Sequence, residues 1–110
     1  MPRDYKVYLE DMLEAIEHIR LYTSGFSLKR FVADRKTLDA VVRNLEVIGE
    51  AAKNVPPDVR RQHPKVEWRK MAGLRDILIH EYFGIDVEIV WDIIRHKIPP
   101  LRKQIRAILR

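Results

Sequence analysis

The 110-residue chain contains no cysteine and only four glycines. The absence of cysteine excludes disulfides, thiolate nucleophiles and cysteine-based zinc sites. No apolar run approaches the ~20 residues that a membrane helix needs, and residues 1–10 lack the apolar segment of a signal peptide. We therefore expect a cytoplasmic protein with no membrane partner.

Apolar residues make up 46% of the chain and charged residues 34%. This composition, with so little glycine, is typical of a helix-rich globular domain and not of a disordered chain. The length allows one domain with a buried core, so we predict a single helical domain over residues 1–110. The net charge of +5 and the pI near 9.7 favour polyanionic partners without identifying one.

Three segments carry apolar residues at alternating spacings of three and four, which is the period of an amphipathic α-helix. They cover residues 4–22, a main second helix through residues 38–52, and a last helix that Asp86 can cap. A third helix, apolar nearly all round, is predicted between the second and the last, over residues 66–83. The pattern of the last helix continues through Pro99-Pro100, so we expect a kinked helix or two abutting helices there. The fold class predicted is all-α, as an antiparallel four-helix bundle.

The links between these helices contain typical stop and start residues. Gly25 can supply a left-handed residue after the first helix, and Ser27 can cap the segment that follows. Pro56-Pro57 stops the second helix, and a short helical turn is expected over residues 58–63. Gly84 breaks the third helix, so each of the first three main helices has a predicted end.

Three of the four histidines lie one helical turn after a carboxylate. Di-iron sites in helical bundles use Glu-x-x-His on two helices, and no histidine here has a glutamate three residues before it. We therefore predict no metal site, and we interpret the first and last pairs as exposed surface pairs. The three pairs are Glu14/His18, Asp76/His80 and Asp92/His96.

Lysines and arginines are concentrated in two groups. One interpretation is that they are ordinary exposed residues whose aliphatic stems cover apolar surface. The other is that they form a surface that binds the phosphate backbone of a nucleic acid without sequence preference. The first group is Arg60, Arg61, Lys65, Arg69 and Lys70, and the second is Arg95, Lys97, Arg102, Lys103, Arg106 and Arg110.

The stretch from Leu74 to Tyr82 places ionisable residues in a helix that is apolar nearly all round. Such a helix is expected to be buried on several sides, where charged groups must be paired or used. On an ideal helix Arg75 and Tyr82 share a face, whereas His80 lies about 140° from Arg75. Either the helix deforms near Gly84, or two copies of the chain meet and share a cleft. Because this helix has more apolar faces than one bundle covers, we expect a dimer.

Arg75 and His80 are suited to chemistry on a phosphate. A histidine can transfer a proton, and an arginine can hold a phosphate through two parallel hydrogen bonds. Asp76 lies one turn before His80 and can orient its ring. RNA cleavage would need no protein nucleophile, because the substrate supplies its 2′-hydroxyl and the protein moves protons and stabilises charge. The alternative is a buried Asp–His pair in which Arg75 neutralises a core carboxylate.

The pattern Arg75-x4-His80-x-Tyr82 resembles the signature of HepT-like ribonuclease toxins of the HEPN superfamily. One departure is Asp76, where many relatives have asparagine, and a negative charge near the scissile phosphate can weaken activity. Other resemblances cover nearly the whole chain: Phe31-x2-Asp34, Arg43-Asn44-Leu45, Ile48-Gly49-Glu50-Ala51, Trp68, His80-Glu81-Tyr82-Phe83-Gly84, Val90-Trp91 and Ile98-Pro99.

The resemblance implies a homodimeric, metal-independent endoribonuclease without a cofactor, the toxin of a type VII toxin–antitoxin system. Arg75 would bind phosphate and His80 would transfer protons in a groove between protomers. Tyr82 would line the site and receive AMP from a minimal nucleotidyltransferase antitoxin, within a larger hetero-oligomer. Asn44 and Glu50 could line the groove, although a close helix approach at the neighbouring glycine explains that motif equally well.

The main alternative function is a non-catalytic helical binding subunit of a nucleotidyltransferase complex. Its basic surface would then contact the partner or RNA. The joint presence of Arg75, His80 and Tyr82 favours the enzyme.

Overall fold

The computed structural model describes residues 4–80 and 86–110, with side chains for residues 4–74 and 86–110. All regular secondary structure in these residues is helical, which confirms the all-α prediction. No helix in these two ranges is long and apolar enough to cross a membrane. The helices are α1 (Tyr5–Thr23), α2 (Leu28–Ala33), α3 (Arg35–Asn54), α4 (Pro57–Gln62), α5 (Trp68–His80), α6 (Val87–Asp92) and α7 (Ile98–Leu109), with a π-helical turn at Ile93–Lys97 between the last two.

The predicted turn after the first helix is confirmed. α1 ends at Thr23, whose hydroxyl donates a hydrogen bond of 2.8 Å to the Ile19 carbonyl. Gly25 then has a φ of 77°, in the left-handed region that glycine adopts without a steric penalty. Ser27 caps α2 as predicted, because its side chain accepts a hydrogen bond from the Arg30 backbone N–H. The chain therefore reverses within four residues.

α2 and α3 meet at Asp34 with no linker between them. Asp34 is the C-cap of α2 and the N-cap of α3. Its Oδ1 accepts a 3.0 Å hydrogen bond from the Thr37 backbone N–H, and this bond is the main cause that lowers the pKa of Asp34. α3 ends at Asn54, before the two prolines, and the short turn predicted next is α4.

The core is built mainly from four helices. α1 packs against α3 and α7, and α3 also packs against α5. Fully buried side chains repeat along these helices at the predicted spacings of three and four. They include Leu9, Met12, Ile16 and Ile19 of α1, Val41, Leu45 and Ile48 of α3, and Ile105 of α7.

A charged link joins α1 and α7 at the edge of their contact. Arg102 Nε donates to Glu17 Oε1 over 2.5 Å. This hydrogen bond is the main cause that lowers the pKa of the Glu17 carboxyl. The link connects two residues that are 85 positions apart in the sequence.

The prolines near the chain's end fall in the first turn of α7. The preceding π-helical turn is closed by the Ile98 backbone N–H, which donates to the Ile93 carbonyl. Proline is tolerated in a first turn, where its missing N–H would have no helical partner. The prediction was a kinked helix or two abutting helices, and the structure has α6 and α7 joined by a wide π-helical turn.

Candidate functional site

α5 carries three of the predicted site residues. Arg75 and Asp76 lie in its second half, and His80 is its last residue. The helical backbone is continuous from Trp68 to His80, so the Cα atoms of Arg75 and His80 are about 7.5 Å apart along the axis and about 140° apart around it. The side chains of residues 75–80, and Tyr82 with its neighbours 81–85, lie outside the described residues. Gly84, the predicted helix end, is among them.

The first half of α5 is anchored to the rest of the protein. Trp68 and Met71 are buried. The Trp68 indole Nε1–H donates a 2.9 Å hydrogen bond to the His63 carbonyl, which ties the start of α5 to the end of α4. Leu74, half-buried, packs against the core and directly precedes Arg75. The position of Arg75 along the helix is thus set by a well-packed segment.

A small cavity lies between α5, α3 and α7. Met71 and Leu74 line it together with Leu45, Ile48 and Leu101, and its volume is about 80 Å³. Pockets for small ligands usually measure about 300–1,000 Å³. Among the residues whose side chains are described, this cavity is therefore too small to be a substrate pocket.

Asn44, predicted to line a groove, lies in the contact between α3 and α1. It is 9% exposed. Its Nδ2 donates to the Ala40 carbonyl over 2.9 Å, and its Oδ1 lies 3.1 Å from His18 Nδ1. Because the amide is oriented by Ala40, its oxygen must accept, and the His18 Nδ1 must therefore carry the proton.

Glu50, the other predicted groove residue, is exposed on α3. Its backbone carbonyl accepts a 2.9 Å hydrogen bond from the Asn54 side chain. It follows Asn44 by six residues, which places the two side chains about 120° apart around the helix axis. The structure therefore does not bring Asn44 and Glu50 to one face.

Two histidine–carboxylate pairs are surface pairs, as predicted. His18 Nε2 lies 3.9 Å from Glu14, and His96 Nε2 lies 3.7 Å from Asp92, with every one of these side chains at least 42% exposed. Among the described residues, no three His, Asp or Glu side chains are grouped so that they could hold a metal ion.

The bond between His18 and Asn44 was missed by sequence reasoning. It joins residues 26 positions apart, so no local spacing reveals it. One signal was present, because asparagine stands three residues after Val41 and four before Ile48 on the apolar side of α3. A polar residue at such a position needs a buried partner.

Comparison with known proteins gives one consistent result. The family described as "Ribonuclease HepT-like" matches residues 12–108. A protein of Thermococcus cleftensis named probable ribonuclease HepT is 50% identical over 93% of both chains. A candidate RNase of Methanocaldococcus jannaschii is 47% identical over all of this chain and 92% of its own length. A candidate RNase of Caldanaerobacter subterraneus is also 47% identical, over 94% of this chain and 92% of its own. No solved structure gives a significant match.

Proposed function

Because the chain belongs to the HepT-like ribonuclease family, we propose that it is a metal-independent endoribonuclease toxin of a type VII toxin–antitoxin system. The observation that carries this proposal is the placement of Arg75, Asp76 and His80 on one continuous helix within the region that matches the family. The RNA substrate fits the net positive charge of +5.

The proposed reaction uses the nucleophile of the substrate itself. The 2′-oxygen of one ribose attacks the adjacent phosphorus, and the bond from phosphorus to the 5′-oxygen of the next nucleotide breaks. The products are a 2′,3′-cyclic phosphate and a free 5′-hydroxyl. The 2′-hydroxyl proton leaves to a base, and the 5′-oxygen takes up a proton.

His80 is the proposed proton-transfer group, and Asp76 positions its ring from one turn earlier. Arg75 would hold the phosphate through two hydrogen bonds and stabilise the charge that develops on its oxygens. In a dimer, one protomer can supply the Arg75 and the other protomer the His80 that act on the same phosphate.

The active species is proposed to be a homodimer with a shared cleft. An unbroken helix from Trp68 to His80 supports this, because it keeps Arg75 and His80 about 140° apart within one chain. Two exposed apolar side chains, one on α2 and one on α6, also offer surface for a contact between protomers. Val32 of α2 is 55% exposed and Ile89 of α6 is 59% exposed, on two helices that pack together.

Tyr82 is proposed as the site of control. It follows His80 by two residues, so a group attached to it would lie close to the proposed RNA path. A minimal nucleotidyltransferase would transfer AMP from ATP to the Tyr82 hydroxyl with release of pyrophosphate. The added phosphate and adenosine would block the substrate by charge and bulk.

The decisive experiment is cleavage of single-stranded RNA by purified, unmodified protein in EDTA. We expect products that end in 2′,3′-cyclic phosphate, and we expect growth arrest when the protein is expressed alone. RNA left intact by folded, unmodified protein would favour a non-catalytic binding subunit instead. Cleavage only after addition of Mg²⁺ or Mn²⁺ would disprove the metal-independent mechanism.

A further inference from the structure

Half of the positive charge of the chain lies in two segments that are distant in sequence, residues 59–74 and residues 93–110. Together they hold 11 of the 21 Lys and Arg residues and one of the 16 acidic residues. Their formal charge is therefore +10, against −5 for the remaining residues. Charge segregated in this way creates a local potential that attracts polyanions.

The fold brings these two segments together. Gln104 Nε2 of α7 donates to the backbone carbonyl of Lys65, just before α5, over 3.3 Å. Lys97 Nζ, just before α7, lies 3.5 Å from the Glu67 carboxylate. We call the surface formed by residues 59–74 and 93–110 the basic face.

Three carboxylates pair with cations of the basic face and do not neutralise it. Asp58 pairs with Arg61 and Glu17 with Arg102, both from outside the two segments, and Glu67 lies within them. Glu67 is shared by Lys70, at 2.8 Å, and Lys97. Both lysines contribute to lowering its pKa, with the Lys70 hydrogen bond the largest cause. The exposed side chains of Lys65, Arg69 and Lys103 are not among the ion pairs formed by Glu17, Asp58 and Glu67 in the part of the chain that the structure describes.

A cleft opens on the basic face between the connector that precedes α5 and the last turns of α7. Its volume of about 410 Å³ falls within the range of small-ligand pockets, unlike the core cavity of about 80 Å³. The cleft is lined by Gln62, His63, Pro64, Lys65, Val66, Gln104, Ala107 and Ile108.

The lining has the chemistry that an unstacked nucleobase requires. Pro64 and Ile108 offer apolar surface, and the His63 ring offers a plane for stacking. The side-chain amides of Gln62 and Gln104 can each donate to and accept from the edge of a base. Proteins recognise single-stranded RNA in this way, by stacking bases that have left the strand and by bonding their edges.

Phosphate contacts are available at the rim. Lys65 is part of the lining. Lys103 lies one turn before Ala107 on α7, so it occupies the same exposed side of that helix. An acidic protein partner would need the charge but not a concave pocket with two amides, and for this reason the observations favour RNA.

We propose that this cleft binds one unstacked nucleobase of single-stranded RNA, with Lys65 and Lys103 on the neighbouring phosphates. The inference rests on the proposed ribonuclease function and gives it a second contact with substrate. The cleft adjoins the start of α5, and Arg75 lies about 10 Å further along that helix from Trp68. The cleft would thus hold the strand while cleavage occurs elsewhere.

The phosphate contacts can be tested by RNA binding in a His80→Ala background, which should not cut the probe. A labelled single strand of about ten nucleotides is suitable. Lys65→Gln and Lys103→Gln should each lower affinity about threefold to tenfold and reduce the slope of log K against log salt by about 0.7. Lys29→Gln is the matched control, because Lys29 is exposed on α2, which packs on α3 and α6.

The base contact needs a variant that leaves the charge unchanged. Ala107→Leu should fill the cleft and lower affinity for the RNA about fivefold or more, the scale of one lost stacking contact. The same variant should bind an abasic oligonucleotide of equal length as tightly as its parent does. Gln104→Met is a second variant of similar shape, should Ala107→Leu unfold, and circular dichroism checks folding of both.

Equal RNA affinity in the cleft variants and in Lys29→Gln would overturn the proposal. So would unchanged RNA affinity together with lost binding to the partner nucleotidyltransferase, which would assign the cleft to a protein. Failure of the proposed ribonuclease function would give a different result. The wild type would then not cut RNA, but the cleft variants would still bind RNA more weakly than the wild type does.

Discussion

Asn44 of α3 accepts a hydrogen bond from His18 of α1, over 3.1 Å between Oδ1 and Nδ1. Since Asn44 Nδ2 is bonded to the Ala40 carbonyl, the Nδ1–H tautomer of His18 is the one that fits. The His18 Nε2 lies on the side of Glu14, 3.9 Å away. An oriented histidine thus joins α1 and α3 at the edge of their contact.

Asn44→Ala should remove this link. We expect a loss of about 1 kcal/mol in the free energy of unfolding, the usual net value of one hydrogen bond, measured by urea denaturation. Nitrogen-15 NMR should show the Nδ1–H tautomer of His18 in the wild type and a mixture in the variant. A variant of normal stability that cuts RNA poorly would instead place Asn44 in the substrate groove.

Arg75→Ala and His80→Ala should each lower RNA cleavage by roughly 10²-fold or more, because charge stabilisation and proton transfer contribute on that scale. Both variants should keep the wild-type unfolding midpoint. Arg35→Ala serves as control, since Arg35 forms an exposed surface pair with Asp39 at 3.2 Å. If Arg75→Ala or His80→Ala unfolds while the folded fraction cuts normally, the residue is structural.

Asp76→Asn tests whether the carboxylate weakens the enzyme. In the proposed site, the substitution would remove a negative charge near the scissile phosphate and keep a group that can bond to His80. We expect cleavage to rise by a few-fold at neutral pH, as about 0.5–1 kcal/mol of charge repulsion would produce. A fall in rate would show that the charge on Asp76 is needed to position His80 or raise its basicity.

Tyr82→Phe should prevent control by the nucleotidyltransferase. Incubation with the proposed nucleotidyltransferase partner and ATP should add the mass of AMP to the wild type and suppress its cleavage of RNA. Intact-protein mass spectrometry should find no such addition to Tyr82→Phe, which should remain active. An AMP group still found on the variant would place the modified residue elsewhere.

The link between Glu17 and Arg102 should make stability depend on pH. The pKa of the Glu17 carboxyl in the folded protein is lowered from 4.5, chiefly by the Arg102 hydrogen bond. The charged carboxylate therefore favours the folded state. This contribution is present above about pH 4.5 and is lost as the pH falls through the lower folded value. Glu17→Gln should cost up to about 1 kcal/mol at pH 7, because the pair is partly exposed.

The control for this measurement is Glu10→Gln, an exposed position on the same helix. Urea denaturation at pH 7 and near pH 3 should show a difference between wild type and Glu17→Gln only at the higher pH. A difference that persists at the lower pH would mean that the substitution disturbs packing.

The helices and their ends were predictable because their causes are local. The spacing of apolar residues, the left-handed turn at Gly25 and the caps at Ser27 and Asp86 each depend on a few neighbouring residues. The all-α class and the break before Pro99 followed from them.

The long-range contacts of the site were not predictable in the same way. His18 and Asn44 are 26 positions apart, and Lys65 and Gln104 are 39 apart. Their meeting depends on how α1, α3 and α7 rotate about their own axes when they pack. A helical period gives the buried face of each helix, but it does not give the partner that a polar residue at the edge of that face will find.

The corner at Asp34 restricts where the chain can change length. One residue ends α2 and begins α3, so an inserted residue would have to enter a helix or separate it from its cap. α2 also holds Phe31 against Trp91, with ring centroids 5.2 Å apart, and an insertion would displace that contact. Insertions and deletions among related chains should therefore fall in residues 24–27 or 63–67, where a longer loop costs little entropy. They should be absent at the junction of α2 and α3.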